Sequence, residues 1–188
     1  WENFEDLGTG NLTRLKDWGS EKDWFVSSTG GTQWKVTAYN NNQYIQYSAY
    51  KTEGEWEAWM VTPEMTVGAD DKLSFDVCVG NWNADCLTVW ISEDFDGKDV
   101  KKATWTDITS HFTIPSAPAK GYGSFASAGT FPLAQYGGKK VFVAFKYLGD
   151  GVNKKTTTYQ IDNVMIGSKI PEGEGLKADV AFDLKVFD

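Results

Sequence analysis

The sequence predicts an all-β domain folded as a sandwich of short strands. Its apolar runs are short and evenly spaced along the chain, which is the pattern of β-sandwiches. Aromatic residues make up 15% of the chain, including 9 Trp, and 19 Gly are available for turns, whereas no convincing amphipathic helix can be traced. With 188 residues, 41% of them hydrophobic, the chain is long enough for one domain with a substantial core.

The individual strands follow from alternation and turn signals. The N-terminal part mixes short apolar groups with polar turns, in the order WENFEDL, WFVSS and WKVTAY. After an Asn-rich turn, strands are predicted in NQYIQYSAY, EWEAWMV, KLSFDVCV, LTVWIS, GKKVFVAFKYLG and TYQIDNVMIG. Pro63 ends the second of these, and the loops DFDGKD, KGYGSFASAGT and DGVNKKTT separate the later ones.

We assign residues 1–167 to the sandwich and residues 168–188 to a tail. The tail starts with a linker rich in Pro, Gly and Glu, and continues with one alternating segment, ADVAFDLKVF. This segment is predicted either to close a sheet as an edge strand or to begin a further domain.

The charge of the chain restricts its partners. A net charge of −8 and an isoelectric point near 4.7 argue against nucleic acid and anionic membrane surfaces, and fit an extracellular protein or one that holds cations. No apolar stretch reaches the roughly 18 residues of a transmembrane helix. The chain begins at Trp1 without a signal peptide, which says little about export. Its oligomeric state is not predicted.

Two cysteines, Cys78 and Cys86, flank the turn-like segment GNWNAD. If this segment is the turn of a hairpin centred on Trp82, the cysteines face each other across two antiparallel strands. Opposed Cβ atoms, about 4.5–5.5 Å apart, are near but not at disulfide distance. The sequence leaves two alternatives open, a disulfide of an oxidising compartment or two small apolar residues in a core layer.

No catalytic residues are predicted. Glu53, Glu55 and Glu57 share one face of a strand and resemble a glycosidase carboxylate pair in spacing, but a solvated acidic edge is the better interpretation. The segment DFDGKD misplaces the Gly of an EF-hand loop and is interpreted as an acidic turn. His111 is the only histidine, and no nucleophile motif accompanies it. The chain is therefore predicted not to be an enzyme.

The segment GNWNAD also provides the first candidate binding site. Trp82 lies at the centre of the predicted turn, and a loop aromatic flanked by amides and a carboxylate is a typical way to hold a sugar ring. The candidate ligand-binding residues are Trp82, Asn81, Asn83 and Asp85, with Tyr122 of the Gly/Ser-rich loop beside Phe125 as a second group. The alternative is that Trp82 folds back against the end of the sandwich.

Adjacent polar residues interrupt the last predicted strand, QIDNVMI. Successive strand residues point to opposite faces, so one of Asp162 and Asn163 should point at the core. A buried carboxylate without a partner is costly, and Asp162 therefore needs a partner.

Several stretches in order resemble the choice-of-anchor-J or cleaved-adhesin type of domain, which is common in surface lipoproteins of Bacteroidetes-type bacteria. The sequence motifs that match this family lie at residues 59–63, 89–92, 133–145 and 161–164. The resemblance extends over most of residues 1–167. It implies a jelly-roll β-sandwich of two antiparallel sheets, similar to the galactose-binding-like and MAM sandwiches. Residues 106–130 form a longer insertion than the family pattern, and the tail has no counterpart.

The resemblance also implies a partner for Asp162. Such folds often hold a structural Ca²⁺ between the first and last strands, which here implies that Glu5 and Asp162 share a cation, with Asp6 and Asn163 as weaker ligands. Ca²⁺ takes carboxylate, carbonyl and amide oxygens. The alternative is that Asp162 accepts backbone N–H groups or faces solvent.

The resemblance and the composition together predict a non-catalytic module exported to the bacterial surface, as a lipoprotein of the outer membrane, or to the periplasm. The first hypothesis is a carbohydrate-binding module whose loop aromatics are presented by a calcium-stapled sandwich, so that its partner is a glycan. The alternative is a protein–protein adhesion or scaffold module without a sugar site, whose partner is a surface protein.

Overall fold

The structure is a computed structural model that describes residues 1–5, 10–11, 24–30 and 32–168. Its twelve strands are β1 Gly10–Asn11, β2 Phe25–Ser28, β3 Lys35–Tyr39, β4 Asn42–Tyr47, β5 Glu55–Val61, β6 Met65–Thr66, β7 Lys72–Gly80, β8 Leu87–Ser92, β9 Thr106–Asp107, β10 Ala126–Pro132, β11 Lys140–Asp150 and β12 Thr158–Gly167. Two short 3-10 helices, Thr109–His111 and Ala134–Tyr136, complete the described elements.

The strands form two antiparallel sheets, which confirms the predicted jelly-roll sandwich. The first sheet has the order β1-β3-β4-β12-β7-β10, and the second has the order β2-β5-β11-β8-β9, with β6 paired to β11. From β7 onward the long strands alternate between the sheets, because β7, β10 and β12 belong to the first sheet and β8 and β11 to the second. Each crossing places the apolar face of one strand against the apolar face of the next.

The core lies between the two sheets and is built from alternate residues of each strand. The inward residues of β7 and β11 are 0–1% exposed at Phe75 and Phe145, whose ring centroids lie 5.0 Å apart in an edge-to-face arrangement. The alternation predicted for NQYIQY is confirmed, since Ile45 and Tyr47 enter the core and Tyr44 and Gln46 take the outer face of the first sheet. Burial of these apolar faces is the main stabilising contribution to the fold.

The hairpin predicted around GNWNAD is wrong. Strands β7 and β8 belong to opposite sheets, and the segment 81–86 crosses from one sheet to the other. Cys78 lies on the outer face of the first sheet opposite Gln160, whereas Cys86 lies in the core between the sheets. Both cysteines are free. Two strands with alternating apolar residues, joined by a polar loop, have the same sequence pattern whether they pair with each other in one sheet or belong to opposite sheets.

A turn and a strand in the first sheet show the limits of the local pattern. Asn40 and Asn41 have positive φ angles of 50° and 59° and join β3 to β4, as expected for a tight two-residue hairpin. Strand β10 was instead predicted to be part of a Gly/Ser/Ala-rich loop. Its small residues pair with β7 and bury only Ala128 and Phe131, so its composition carries little strand signal.

A β-bulge explains the polar pair in β12. The pairing with β7 shifts by one residue between Asp162 and Met165, and Asn163 has a φ of 49°. The extra residue lets Ile161 and Val164 both enter the core, while Asp162 stays on the outer face of the first sheet, where it is 4% exposed. The prediction that one of the two polar residues points at the core is therefore wrong.

The outer face of the second sheet carries its own small apolar cluster under the loop 93–105. Trp59 lies 5.2 Å from Trp105, measured between ring centroids, and both Nζ of Lys101 and the indole N–H of Trp59 bind the carboxylate of Glu57. The DFDGKD segment is the acidic turn that was predicted, because Asp96 accepts backbone N–H groups within it.

Two remaining predictions concern the ends and the membrane. Residues 169–188, which contain the predicted linker and last strand, lie outside the described residues, so the division at residue 167 stays a prediction. In the part of the chain that the structure describes, no helix has the length and apolarity needed to span a membrane.

Candidate functional site

A cleft of about 700 Å³ lies on the outer face of the first sheet. Its size is within the range of small-molecule sites. Strands β3, β4, β12 and β7 form its floor, and the loop before β10 forms one wall. The lining residues are Thr37, Ala38, Tyr39, Asn40, Asn42, Tyr44, Gln46, Cys78, Tyr122, Gly123, Ser124, Phe125 and Gln160.

The wall is made by the loop that precedes β10. Phe125 stands next to β10, two strands beyond β12 and three beyond β4 in the first sheet, yet its ring centroid lies 5.4 Å from that of Tyr44 on β4. Neighbouring strands are about 4.8 Å apart, so the loop must fold back across β7 and β12. The loop therefore turns an open sheet face into a bounded cleft.

Tyr122 is an exposed ring on a fixed backbone. Its backbone pairs with Gly80 in an antiparallel bridge. The N–H of Asn81 donates to the carbonyl of Gly121 at 2.8 Å, and the N–H of Gly121 donates to Oδ1 of Asn81 at 2.9 Å. The ring lies against Gly80, where a methyl group would overlap it. Although Tyr122 is 54% exposed, the end of β7 sets its position.

The floor of the cleft is a row of amide and hydroxyl groups. Nε2 of Gln160 on β12 donates to Oε1 of Gln46 at 2.8 Å and to the hydroxyl of Tyr44 at 3.2 Å, both on β4. These bonds fix the two amides in one orientation. Gln160 is 8% exposed and Tyr44 is 5% exposed, so the polar floor is rigid and largely desolvated before a ligand arrives.

Three tyrosines converge on this floor. Tyr39 ends β3 and is 70% exposed, and Tyr122 lies beside the end of β7, so the two tyrosines lie at the outermost strands of the floor. Burial raises the pKa of Tyr44, and the nearby Tyr122, Cys78 and Tyr39 raise it further, against the hydrogen bond from Gln160. The hydroxyl of Tyr44 therefore stays protonated at neutral pH and is available as both donor and acceptor.

The predicted sugar-binding set is divided by the structure. Of the five residues, Tyr122 lines the cleft and Trp82 does not. Trp82 is half-buried and packs against the core, with its indole N–H donating to Oδ1 of Asp85 at 2.8 Å. Asn83 exchanges hydrogen bonds with Thr156. Stacking of a sugar on Trp82 stays a prediction, and the geometry favours the cleft instead.

The predicted metal set is also divided. Asp162 accepts the backbone N–H of Asn163 at 2.8 Å and Nδ2 of Asn42 at 3.1 Å, and Glu5 accepts the N–H of Gln43 at 2.9 Å. Asp6 lies outside the described residues. Burial raises the pKa of Asp162 to about 7, and the charges of Glu5 and Asp76 raise it too, while its amide donors lower it.

The donors around Asp162 fit a hard cation in kind. Glu5 and Asp76 contribute carboxylates near Asp162, and Asn163 binds Asp76 through Nδ2 at 2.8 Å. Oxygen donors of this type are those that Ca²⁺ takes. Within the described ranges, however, no three acidic, His or Cys side chains gather closely enough to form a metal cage by themselves.

Glu57, on the acidic edge of β5, does not have the raised pKa of a glycosidase general acid. Burial raises the pKa of Glu57, but the hydrogen bonds from Lys101 and Trp59 and the charge of Lys146 outweigh it, so the pKa is lowered overall. A general acid of a glycosidase needs a raised pKa. The two thiols are not activated either, because burial raises the pKa of Cys78 and of Cys86.

Sequence reasoning missed most of the cleft, namely Tyr39, Tyr44, Gln46 and Gln160. A local signal existed in NQYIQY, where an aromatic and an amide alternate with core residues. It did not show that Gln160 would lie beside Gln46, since that contact depends on the pairing of β4 with β12.

Comparison with known proteins identifies a family and a shared fold. The family described as "Domain of unknown function (DUF5017)" matches residues 35–181. A search of the curated proteins found no match.

The solved structures that are similar to this chain include three domains of Lys-gingipain. The K3 cleaved adhesin domain of Lys-gingipain from Porphyromonas gingivalis W83 is 19% identical, with 89% of this chain and 97% of that domain covered and a TM-score of 0.53. The K2 domain of Lys-gingipain is 13% identical, with 85% and 97% covered and a TM-score of 0.55. The K1 domain from the same P. gingivalis strain as K3 is 19% identical, with 78% and 90% covered and a TM-score of 0.50. At these identities the likeness shows the fold alone.

Proposed function

The chain belongs to the DUF5017 family, and we propose that it is a non-catalytic module that binds carbohydrate in the cleft on the outer face of the first sheet. The observation that carries this proposal is the pair of exposed tyrosines, Tyr39 and Tyr122, on either side of a buried amide floor. Tyr122 is held by the end of β7 and so loses little conformational entropy on binding.

The chemistry of the cleft matches a sugar ring. Tyrosine rings offer flat apolar faces to the C–H groups of a pyranose, and amides and hydroxyls serve as donor and acceptor at its rim. Glycoside hydrolysis needs two carboxylates beside the scissile bond, and the lining residues of the cleft include no Asp, Glu or His. These features support binding without hydrolysis.

Affinity gel electrophoresis on a panel of soluble polysaccharides tests the proposal. We expect at least one polysaccharide to retard the protein, and Tyr39→Ala or Tyr122→Ala to weaken binding about tenfold, since an aromatic contact contributes about 1.5 kcal/mol. Tyr50→Ala is the matched control, because Tyr50 is also 70% exposed but does not line the cleft. Retardation that survives both cleft substitutions would place the site elsewhere, with Trp82 as the next candidate.

The second candidate is a protein–protein adhesion or scaffold module. The similar gingipain domains are named adhesin domains, which supports this candidate. A specific feature favours it. Tyr50 and Val152 are 70% and 67% exposed, and the N–H of Gly151 donates to Oγ1 of Thr52, so their loops are neighbours. This candidate gains if no glycan binds and if Tyr50→Ala, but not Tyr122→Ala, abolishes binding to a surface protein.

We also propose that Ca²⁺ bound beside Asp162 and Glu5 ties the N-terminal segment to β12. The backbone of Glu2 already pairs with Val164 through two hydrogen bonds, so a cation there would join the same two segments. The resemblance to choice-of-anchor-J domains supports a location on the bacterial surface or in the periplasm, either of which would expose the module to extracytoplasmic glycans.

A further inference from the structure

Within the proposed carbohydrate-binding function, on which this step rests, we infer that the ligand is an uncharged glycan. The first observation is the lining of the cleft. Charged residues make up 23% of the chain, yet the cleft is lined only by amides, hydroxyls, aromatic rings, one thiol and small residues. An anionic sugar buried there would lose water without gaining a cationic partner.

The second observation is the row of residues next to the floor. On the paired strands β12 and β7, Gln160 lies opposite Cys78, and Asp162 lies opposite Asp76. Residues two apart on a strand share a face and are separated by about 7 Å. Asp162 and Asp76 therefore border the floor on one side, with Glu5 close by, and the charges of Asp76 and Glu5 repel an anion placed on it.

This repulsion does not depend on the metal proposal. If Ca²⁺ binds beside the three carboxylates, the group keeps a net charge of about −1. Asn42 connects the two regions, because it lines the cleft and donates from Nδ2 to Asp162 at 3.1 Å. An anionic ligand would thus meet negative charge at this border in either state.

Two lysines near the cleft carry charges that oppose this selectivity, and neither is a lining residue. Lys35 lies on the outer face of β3 directly opposite Gln46 of the floor, and Lys120 is two residues before Tyr122 in the loop. Both are exposed to solvent, where a lysine pairs weakly with an anion. They are therefore the residues to remove if an acidic glycan is found to bind.

The polar groups that remain free also suit hydroxyls. Nε2 of Gln160 is used by Gln46 and Tyr44, which leaves Oε1 of Gln160 as an acceptor and Nε2 of Gln46 as a donor on two residues that line the cleft. A sugar hydroxyl is both a donor and an acceptor and can satisfy these two amides together, whereas a carboxylate only accepts.

The test compares neutral and acidic polysaccharides on the whole chain. The neutral probes are galactan, mannan, dextran and mixed-linkage β-glucan, and the acidic probes are polygalacturonate, alginate and chondroitin sulfate. We expect retardation by at least one neutral probe and by none of the acidic ones, with binding weakened about tenfold in Tyr122→Ala and kept in Tyr50→Ala. Binding should be unchanged between low and high NaCl concentrations, because no ion pair forms.

The two possible failures differ. Retardation by an acidic probe that is lost in Tyr122→Ala and in Lys35→Ser or Lys120→Ser overturns the inference and leaves the cleft as a carbohydrate site. Absence of retardation by every probe overturns the carbohydrate proposal and the inference with it. A neutral probe whose binding weakens strongly with salt also counts against an uncharged ligand.

Discussion

Gly80 is a positioning residue for the cleft, because the ring of Tyr122 lies against its backbone. The strand conformation at Gly80 is open to any L-residue, since its φ is not among the positive values of the chain. Glycine is therefore required here by the neighbouring ring and not by the backbone. A small substitution at Gly80 is therefore expected to move the Tyr122 ring and to leave the strand intact.

We predict that Gly80→Ala displaces the Tyr122 ring and weakens glycan binding about tenfold, the effect expected of removing the aromatic contact. Binding is measured by calorimetry with the polysaccharide that retards the wild type. The double variant Gly80→Ala/Tyr122→Ala should bind no more weakly than Tyr122→Ala alone, because both changes remove the same contact. Full additivity of the two effects would show that Gly80 acts in another way.

Asp162 makes stability depend on pH in an unusual direction. Its pKa in the folded protein is about 7, above the roughly 3.9 of an unfolded Asp. Between these values the folded state holds a proton that the unfolded state has lost, so stability falls as pH rises. Asp94, Asp96 and Asp150 have lowered pKa values and lose their contribution only at more acidic pH.

We predict that, in EDTA, Asp162→Asn is more stable relative to wild type at pH 8 than at pH 5, by on the order of 3 kcal/mol. Urea unfolding at the two pH values measures the difference between the proteins, and Asp96→Asn serves as the control. An equal difference between Asp162→Asn and wild type at both pH values would contradict a raised pKa at Asp162.

At the scale of elements, the segment 81–86 closes one end of the sandwich. Trp82 packs against the core, and the side-chain hydroxyl of Thr157 donates to the carbonyl of Ala84 at 2.6 Å. The N–H of Cys86 donates to the hydroxyl of Tyr159 at 2.9 Å. The crossing from β7 to β8 is thus bonded to the start of β12.

We predict that Trp82→Ala lowers the free energy of unfolding by about 2 kcal/mol, less than a fully buried Trp would cost, and lowers Tm by about 4–8 °C. Tyr122→Ala, at an exposed site, should change stability by less than about 0.5 kcal/mol. Glycan affinity, measured well below both melting temperatures, should fall for Tyr122→Ala and not for Trp82→Ala. The reverse ranking would restore Trp82 as the sugar platform.

Strands were easier to predict than their partners. Alternation placed Ile45 and Tyr47 correctly, because burial of one face of a strand gives the sequence a period of two residues, and β11 was correctly predicted to be a strand. Pairing leaves no such period, and so the β7–β8 crossing was mistaken for a hairpin. Strand β10 was missed because its Gly, Ser and Ala side chains bury little, and its place is set by the backbone of β7.

At the scale of the molecule, the cleft is a product of topology. Its floor joins β4 to β12, which are far apart in the chain, and its wall is a loop that folds back over the sheet. The sequence predicted the sandwich and two of the lining residues, Tyr122 and Phe125. The other lining residues are brought together by contacts between distant segments of the chain, and no local sequence pattern specifies such contacts.

The closure of the whole molecule gives the last prediction, since Ca²⁺ beside Asp162 and Glu5 would join the first described segment to the last strand. A cation that binds only the folded state stabilises it by about 2.7 kcal/mol at a concentration of 100 times its Kd. We therefore expect Tm to rise by about 5–10 °C between EDTA and excess Ca²⁺ at neutral pH. Mg²⁺ should have a smaller effect, because it gives up its water reluctantly.

Two variants locate the effect. Asp162→Asn should abolish the Ca²⁺-dependent rise in Tm, whereas Asp96→Asn, in the exposed acidic turn, should retain it. Because the cation replaces the proton that Asp162 holds near neutral pH, the rise should shrink as pH falls from about 7 to about 5. If the Ca²⁺-dependent rise in Tm is lost in Asp96→Asn, the cation binds in the acidic turn. If Tm is equal in EDTA and in Ca²⁺, no exchangeable Ca²⁺ binds beside Asp162, and its partners are the two amide donors alone.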